Sequence, residues 1–381
     1  MRVVFFTHSF LSDWNHGNAH FLRGVATELQ ARGHEVRLYE PADAWSVQNL
    51  VADHGVEALD AARRAYPSLD SIRYDPLTLD LAEALDGADV VVVHEWNTHE
   101  LVQRIGDQRR RTRFVLLFHD THHRSVSEPQ SMAAYDLSYY DGVLAFGDVI
   151  RERYLRHGWA ARAWTWHEAA DIRVFKPPTL ETGHDTGAEA DVVWVGNWGD
   201  DERTGELREF LIEPVRRAGL NGTVHGVRYP EEAVAALERA GLAYGGWIAN
   251  YRVPAVFARH RMTVHVPRRP YVQALQGIPT IRPFEALACA IPLISAPWDD
   301  VEGLFRGGVD YLVASNGAEM ERHLRDVRHD AALASSLAAH GLETIRARHT
   351  CAHRVDELSA IVAGLAPAPV FAARGGRTVT A

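Results

Sequence analysis

Short runs of uninterrupted apolar residues recur along this chain, and each breaks off at a histidine, a carboxylate or a glycine. VVFF (Val3–Phe6) leads to Thr7-His8, VVVV (Val90–Val93) to His94-Glu95, and FVLLF (Phe114–Phe118) to His119-Asp120. Later, VVWV (Val192–Val195) leads to Gly196-Asn197, and MTVHVP carries His265. Residues apolar at successive rather than alternate positions predict strands covered on both faces, which means parallel sheets. Between the first two runs, Asn15–Arg32 reads as a helix: Phe21, Leu22, Val25 and Leu29 make one face, and Gly33 ends it. Strand, helix and strand within about 40 residues is a βαβ unit.

The chain has 381 residues and a mass of 42.5 kDa, more than one core usually organises. The apolar pattern lapses over Pro177–Ala190 (PPTLETGHDTGAEA) and then restarts. The expected architecture is therefore two Rossmann-like, doubly wound α/β domains facing a cleft. The first spans 1–176, a linker 177–190, and the second domain 191–350. A helix over 351–365 is expected to pack back on the first domain, with a flexible tail over 366–381.

Several chemistries are disfavoured. No GxGxxG follows the first strand, and no GxxxxGK[ST], GxSxG or DxD occurs. These absences argue against a dinucleotide dehydrogenase, a P-loop NTPase, an α/β-hydrolase and a DxD-type metal site. The His119–His123 stretch is rich in ligand-type residues, but neighbouring side chains on an extended segment diverge, so no metal is expected. With 50 acidic and 40 basic residues the net charge is −10, a poor match for nucleic acid. The densest basic run, Arg109–Arg113, reads as a solvated helix end. Cys289 and Cys351 are the only cysteines, too few for a disulfide framework or structural zinc. No apolar run approaches the about 18 residues of a membrane span, and the chain enters a strand at once. A soluble, cytoplasmic protein is expected. Lys176 is the only lysine, so cationic contacts to a phosphate must come almost entirely from arginine.

Ligands of doubly wound sheets bind beyond the carboxyl ends of the strands. One segment there is distinctive: Arg282-x-Phe284-Glu285-Ala286-Leu287-Ala288-Cys289-Ala290-x-Pro292. With His265 upstream, AADIRVFKP (Ala169–Pro177) and VWVGNWGDDERTGELREFL, it resembles the C-terminal domain of the CgeB-like glycosyltransferases. These are relatives of the family 4 GT-B enzymes. The resemblance covers roughly Asp141–Glu357; the N-terminal half is similar in architecture and in its Gly17-Asn18 loop. It implies transfer of a sugar from a nucleoside-diphosphate-sugar co-substrate held mainly by the second domain. It further implies no cofactor or metal, and retention of anomeric configuration. The acceptor is not identified.

Pro283 suits a first helical position, with Glu285 in the first turn, where a carboxylate can accept both ribose hydroxyls. Arg282 and the free N–H groups of that helix suit a diphosphate. The plainer alternative is a helix-dipole Glu beside a surface Arg. Where relatives carry an acid eight residues before Glu285, this chain has Gly277. Where they carry Arg and then Lys after the first strand of the second domain, it has Asn197 and Arg203. Gly17 and Asn18 precede a helix and admit close approach of phosphate or sugar, or simply turn the chain. His119 corresponds to a histidine near the anomeric centre, or is a buried core histidine. Glu95, beside His94, is a candidate general base toward an acceptor hydroxyl. Trp14, Trp96 and Trp198 are candidates for stacking on sugar or base. Two other readings stay open: a non-catalytic nucleotide-sugar or glycan binder, and a nucleotide-sugar epimerase.

Overall fold

The computed structural model describes residues 1–178 and 189–365. Most of the expected linker, and all of the expected tail at 366–381, lie outside the described residues. The first apolar runs form a seven-stranded parallel sheet. Its strands are β1 (Arg2–Phe6), β2 (Glu35–Pro41), β3 (Ser71–Tyr74), β4 (Val90–His94), β5 (Val115–Asp120), β6 (Gly142–Ala145) and β7 (Ala163–Thr165). Their spatial order is β3-β2-β1-β4-β5-β6-β7. The six strands of the second sheet are β8 (Ala190–Val195), β9 (Gly222–His225), β10 (Leu242–Tyr244), β11 (His260–His265), β12 (Leu293–Ser295) and β13 (Leu312–Val313). They are also parallel, in the order β10-β9-β8-β11-β12-β13. Each order reverses once, between β1 and β4 and between β8 and β11, and such reversals open crevices at the carboxyl edge.

Continuous hydrophobicity is explained by cover on both faces. Val4, Phe6, Val91 and Phe118 pack against Val102 and Ile105 of the helix His99–Arg109 and against Tyr154. On the other face Val3, Phe5, Val92 and Leu117 pack against Phe21, Leu22 and Val25 of the helix Ala19–Ala31. The same layer takes Val355, Leu358 and Val362 of the last helix, Cys351–Leu365, so that helix lies on the first domain. The Trp166 indole donates to the Arg354 carbonyl at 2.8 Å and fastens it there. The Arg109–Arg113 run caps its helix, with Arg110 to Arg113 exposed.

Boundaries differ from the sequence expectation for local reasons. The first helix begins at Ala19, because the residues before it are drawn into the cleft. The helix carrying Arg282 spans Ile281–Ala288, so Pro283 is its third residue. The pattern through 318–349 is two helices, Gly317–His329 and Ala331–Arg348; Asp330 breaks it by accepting from Ala332 and Leu333 N–H at 2.9 Å. The helix at Thr204–Ala218 contains a π-helical segment, Arg208–Ile212, just before Pro214, which has no N–H to give. No described helix is long and apolar enough to cross a membrane.

Candidate functional site

A cleft of about 880 Å³ lies between the carboxyl edges of the two sheets. Loops after β1 (Trp14–Asn18), β4 (Trp96), β5 (Thr121–His123) and β7 (Glu168), with Trp45 and Asn49 of the helix Trp45–His54 after β2, form its first wall. Gly196, Asn197, Arg203, His265, Arg268, Tyr271 and the segment Thr280–Arg282 form the other. Of the residues singled out from sequence, Gly17, Asn18, Asn197, Arg203, His265 and Arg282 are brought together here.

Arg203 has an unusual environment. Its guanidinium donates to the backbone carbonyls of Asn197, Trp198 (3.4 Å) and Val266 (3.1 Å) and lies over the Trp194 ring at 5.1 Å. It has no carboxylate partner among the described residues. Burial, with Arg268 and Arg282 near, lowers its pKa to about 9, so the cation is held at a cost an anion would relieve. Arg268 pairs with Glu202 at 2.8 Å, and Glu202 also lies 3.4 Å from His123 Nε2 of the first domain. Burial would raise the Glu202 pKa, but His123 and Arg268 outweigh it and hold it at about 2.

Asn197 is a staple rather than a charge: Oδ1 accepts from Val227 N–H at 2.9 Å, and Nδ2 donates to Asn15 Oδ1 across the cleft. His265 lines the wall with Nδ1 on Ser295 Oγ at 2.9 Å and Nε2 without a partner among the described residues; burial lowers its pKa to about 3. Gly17 sits where an added Cβ would be 3.4 Å from Ile281 of the opposite domain. Asn18 stands at the N-cap position but makes no side-chain cap; Nδ2 donates instead to Glu168 Oε1 at 2.9 Å.

Three residues singled out from sequence do not line the cleft. Glu285, expected at the ribose, is fully buried and does not line the cleft. It accepts from Asn250 Nδ2 at 2.7 Å and from Arg282 Nη1, so it lies one layer beneath, supporting Arg282. Burial raises its pKa, with Arg282 opposing. Asn250 also accepts from His20 Nδ1 at 3.2 Å, tying this layer to the first domain. His119 is caged by Trp166, His94 and Phe21, with ring centroids at 4.9, 5.4 and 6.0 Å. Neither ring nitrogen has a partner among the described residues, and burial holds its pKa near 3, so it is a neutral core residue. Glu95 is also fully buried; it accepts from Thr121 N–H at 2.7 Å and lies 3.9 Å from Arg124. Burial, then the neighbouring Asp120, raises its pKa, and its bond from Thr121 ties the loop after β4 to the loop after β5.

Trp14 and Trp96 line the cleft, whereas Trp198 is buried against Tyr229. Sequence reasoning missed Glu168, Arg268 and Trp45. Glu168 and Trp45 were findable by the rule already in use, since each closely follows a strand end. At Gly277, φ is +90° and an added Cβ would lie 2.7 Å from Glu302 Oε1, so no side chain fits without movement. Glu302 itself bridges the domains, pairing with His167 Nε2 at 3.1 Å and accepting from Asp148 N–H at 2.9 Å.

Residues 203–360 match a family model described as glycosyl transferase-like. The structure is similar to sucrose-phosphate synthase from Thermosynechococcus elongatus, with TM-score 0.62, 14% identity, and 96% of this chain and 99% of that one covered. It is similar to Anabaena HepE in complex with UDP, with TM-score 0.66, 13% identity, and 96% and 100% coverage. It also resembles T4 phage BGT in complex with UDP and Mn2+, with TM-score 0.59, 10% identity, and 95% and 99% coverage. No curated protein matches the chain in sequence. The second half of the chain thus carries a glycosyl transferase-like domain, and the chain as a whole has the two-domain GT-B fold.

Proposed function

We propose that this chain transfers a sugar from a UDP-sugar to an acceptor held against the first domain, using arginines rather than a bound metal for the leaving group. The observation that carries this reading is Arg203, a half-buried guanidinium on the cleft wall with no carboxylate among the described residues to neutralise it. A diphosphate beside it would gain charge-assisted hydrogen bonds in a low-dielectric setting. Arg282 and the N–H groups at the start of Ile281–Ala288 add to the same field. UDP is chosen because it is the nucleotide in the complexes of the structurally similar proteins named above. Retention of configuration follows the resemblance to family 4 enzymes and is a fold-level analogy. The first-domain wall, with Trp14, Trp45 and Trp96, offers aromatic faces for an acceptor.

The test is calorimetric binding of UDP, GDP and dTDP to the wild type and to Arg203→Gln, with circular dichroism to confirm folding. UDP is expected to bind best, and the variant to lose about tenfold to a hundredfold in affinity. UDP release from UDP-sugars is expected to continue in EDTA. Wild type that binds no nucleotide, or a folded variant that binds UDP unchanged, overturns the donor assignment. UDP release abolished by EDTA overturns the metal-independent part. Saturable binding without release of UDP would make the chain a binding protein.

A further inference from the structure

Glu168 stands on the cleft wall. It follows β7, is only 5% exposed, and its Oε2 has no partner among the described residues. Its Oε1 accepts from Asn18 Nδ2 at 2.9 Å, and Asn18 Oδ1 is likewise buried and unpaired. Two polar side chains from separate loops are thus tied to one another at one end, and each has its other oxygen unsatisfied at the same wall. Buried acceptors left unpaired are costly, so this arrangement is built for a ligand that brings hydrogen-bond donors. Phosphate brings none, so it would leave the Asn18 oxygen unpaired. A sugar hydroxyl both gives and accepts, and two neighbouring hydroxyls match two neighbouring oxygens.

We infer that Glu168 and Asn18 form the subsite that reads the hydroxyl groups of the transferred sugar, a pyranosyl group carried on the nucleoside diphosphate. This rests on the donor reading above. The pairing assigns the two ends of the donor to different walls, with diphosphate on the arginines of the second domain and sugar on the first. Burial pushes the Glu168 pKa up to about 8, with the Asn18 hydrogen bond opposing. Near neutral pH the carboxyl therefore keeps a proton and can donate to one hydroxyl oxygen while Asn18 Oδ1 accepts from another. Selectivity follows, because a sugar epimeric at one of these positions leaves a buried oxygen unpaired.

The experiment compares binding of UDP, UDP-glucose, UDP-galactose and UDP-N-acetylglucosamine to the wild type, Glu168→Leu and Glu168→Gln. In the wild type the three sugar nucleotides are expected to differ from one another in affinity. In Glu168→Leu, UDP affinity should stay within about twofold, which also reports a folded donor site. The best-bound sugar nucleotide should weaken about tenfold, and the differences among sugars should flatten. Glu168→Gln, which keeps one hydrogen-bonding end, should fall between. If Glu168→Leu does not fold, Glu168→Gln decides: a loss confined to the sugar nucleotides supports the subsite, and unchanged affinities overturn it. Equal weakening of UDP and UDP-sugars overturns it, as does a wild type that binds UDP but does not discriminate the sugars. Unchanged binding with a lower kcat and a shifted pH–rate profile also overturns it, because Glu168 would then be a proton carrier. Failure of the wild type to bind UDP is a different result, and it removes the donor reading itself.

Discussion

At the scale of single residues, His119 shows how a polar side chain becomes part of a core. Its imidazole fills a cage of Phe21, Trp166 and His94, and neither nitrogen has a partner among the described residues. Each buried unpaired polar group costs on the order of 1–3 kcal/mol. His119→Leu is therefore expected to raise Tm, or leave it unchanged, and to retain UDP release from the donor. Loss of turnover at unchanged Tm would restore His119 to a role in catalysis. Strand geometry explains why sequence placed this residue, and Glu95, at the site. Successive side chains of a strand point to opposite faces. Thus Leu117 and His119 face the helix Ala19–Ala31, while Phe118 and Asp120 face Tyr154. A strand-end pattern locates the edge of the sheet, yet the groups that reach the cleft come one to three residues later, as Trp96, Thr121 and His122 do. Gly17, Asn18, Asn197 and Arg203 were legible because loops were read as loops.

Among the elements, the contact between the helices Ala19–Ala31 and Cys351–Leu365 depends on Gly24. A Cβ there would fall inside the Cys351 sulfur and 2.8 Å from Asp171 Cβ, both buried. Gly24→Ala should destabilise by about 1–3 kcal/mol, read as a lower Tm, and adding Cys351→Ala should recover part of the loss. If Gly24→Ala matches the wild type in Tm, the two helices are not packed as described. The central elements were legible from continuous hydrophobicity: β1, β4, β5 and β8 each carry four or more consecutive buried residues. The edge strands β3 and β10 were not, since Ile72, Arg73 and Ala243 face solvent and leave no apolar run. The break at Asp330 was hidden for another reason, because apolar periodicity continues across the capped junction.

Over the whole molecule, buried histidines set the dependence of stability on pH. His8, His16, His20, His94, His119, His265 and His349 all have pKa values lowered chiefly by burial, to about 4 for His8 and about 3 for His20, His119, His265 and His349. Each stays neutral when folded and takes a proton when unfolded, once pH falls below about 6.5. Their contribution is present above that value and is lost as pH falls toward the folded pKa, each at up to about 1.4 kcal/mol per pH unit. Glu168 runs the other way: its pKa is raised to about 8, so its contribution is full below about 4.5 and is lost as pH rises through 8. Tm is expected to peak near about pH 7 and to fall steeply below about pH 6. A Tm that holds level down to about pH 5 would mean that these histidines are protonated in the native state.

The returning helix has a consequence in time as well as in space. Phe21, Leu22 and Val25 emerge from the ribosome early, but Val355, Leu358 and Val362, which complete their layer, emerge more than three hundred residues later. At ordinary rates of synthesis that interval is on the order of half a minute. Throughout it, one face of the first sheet is left without its final cover while the second domain is being made. Order of assembly is thereby inverted between the two domains: the first is translated before the second yet completed after it.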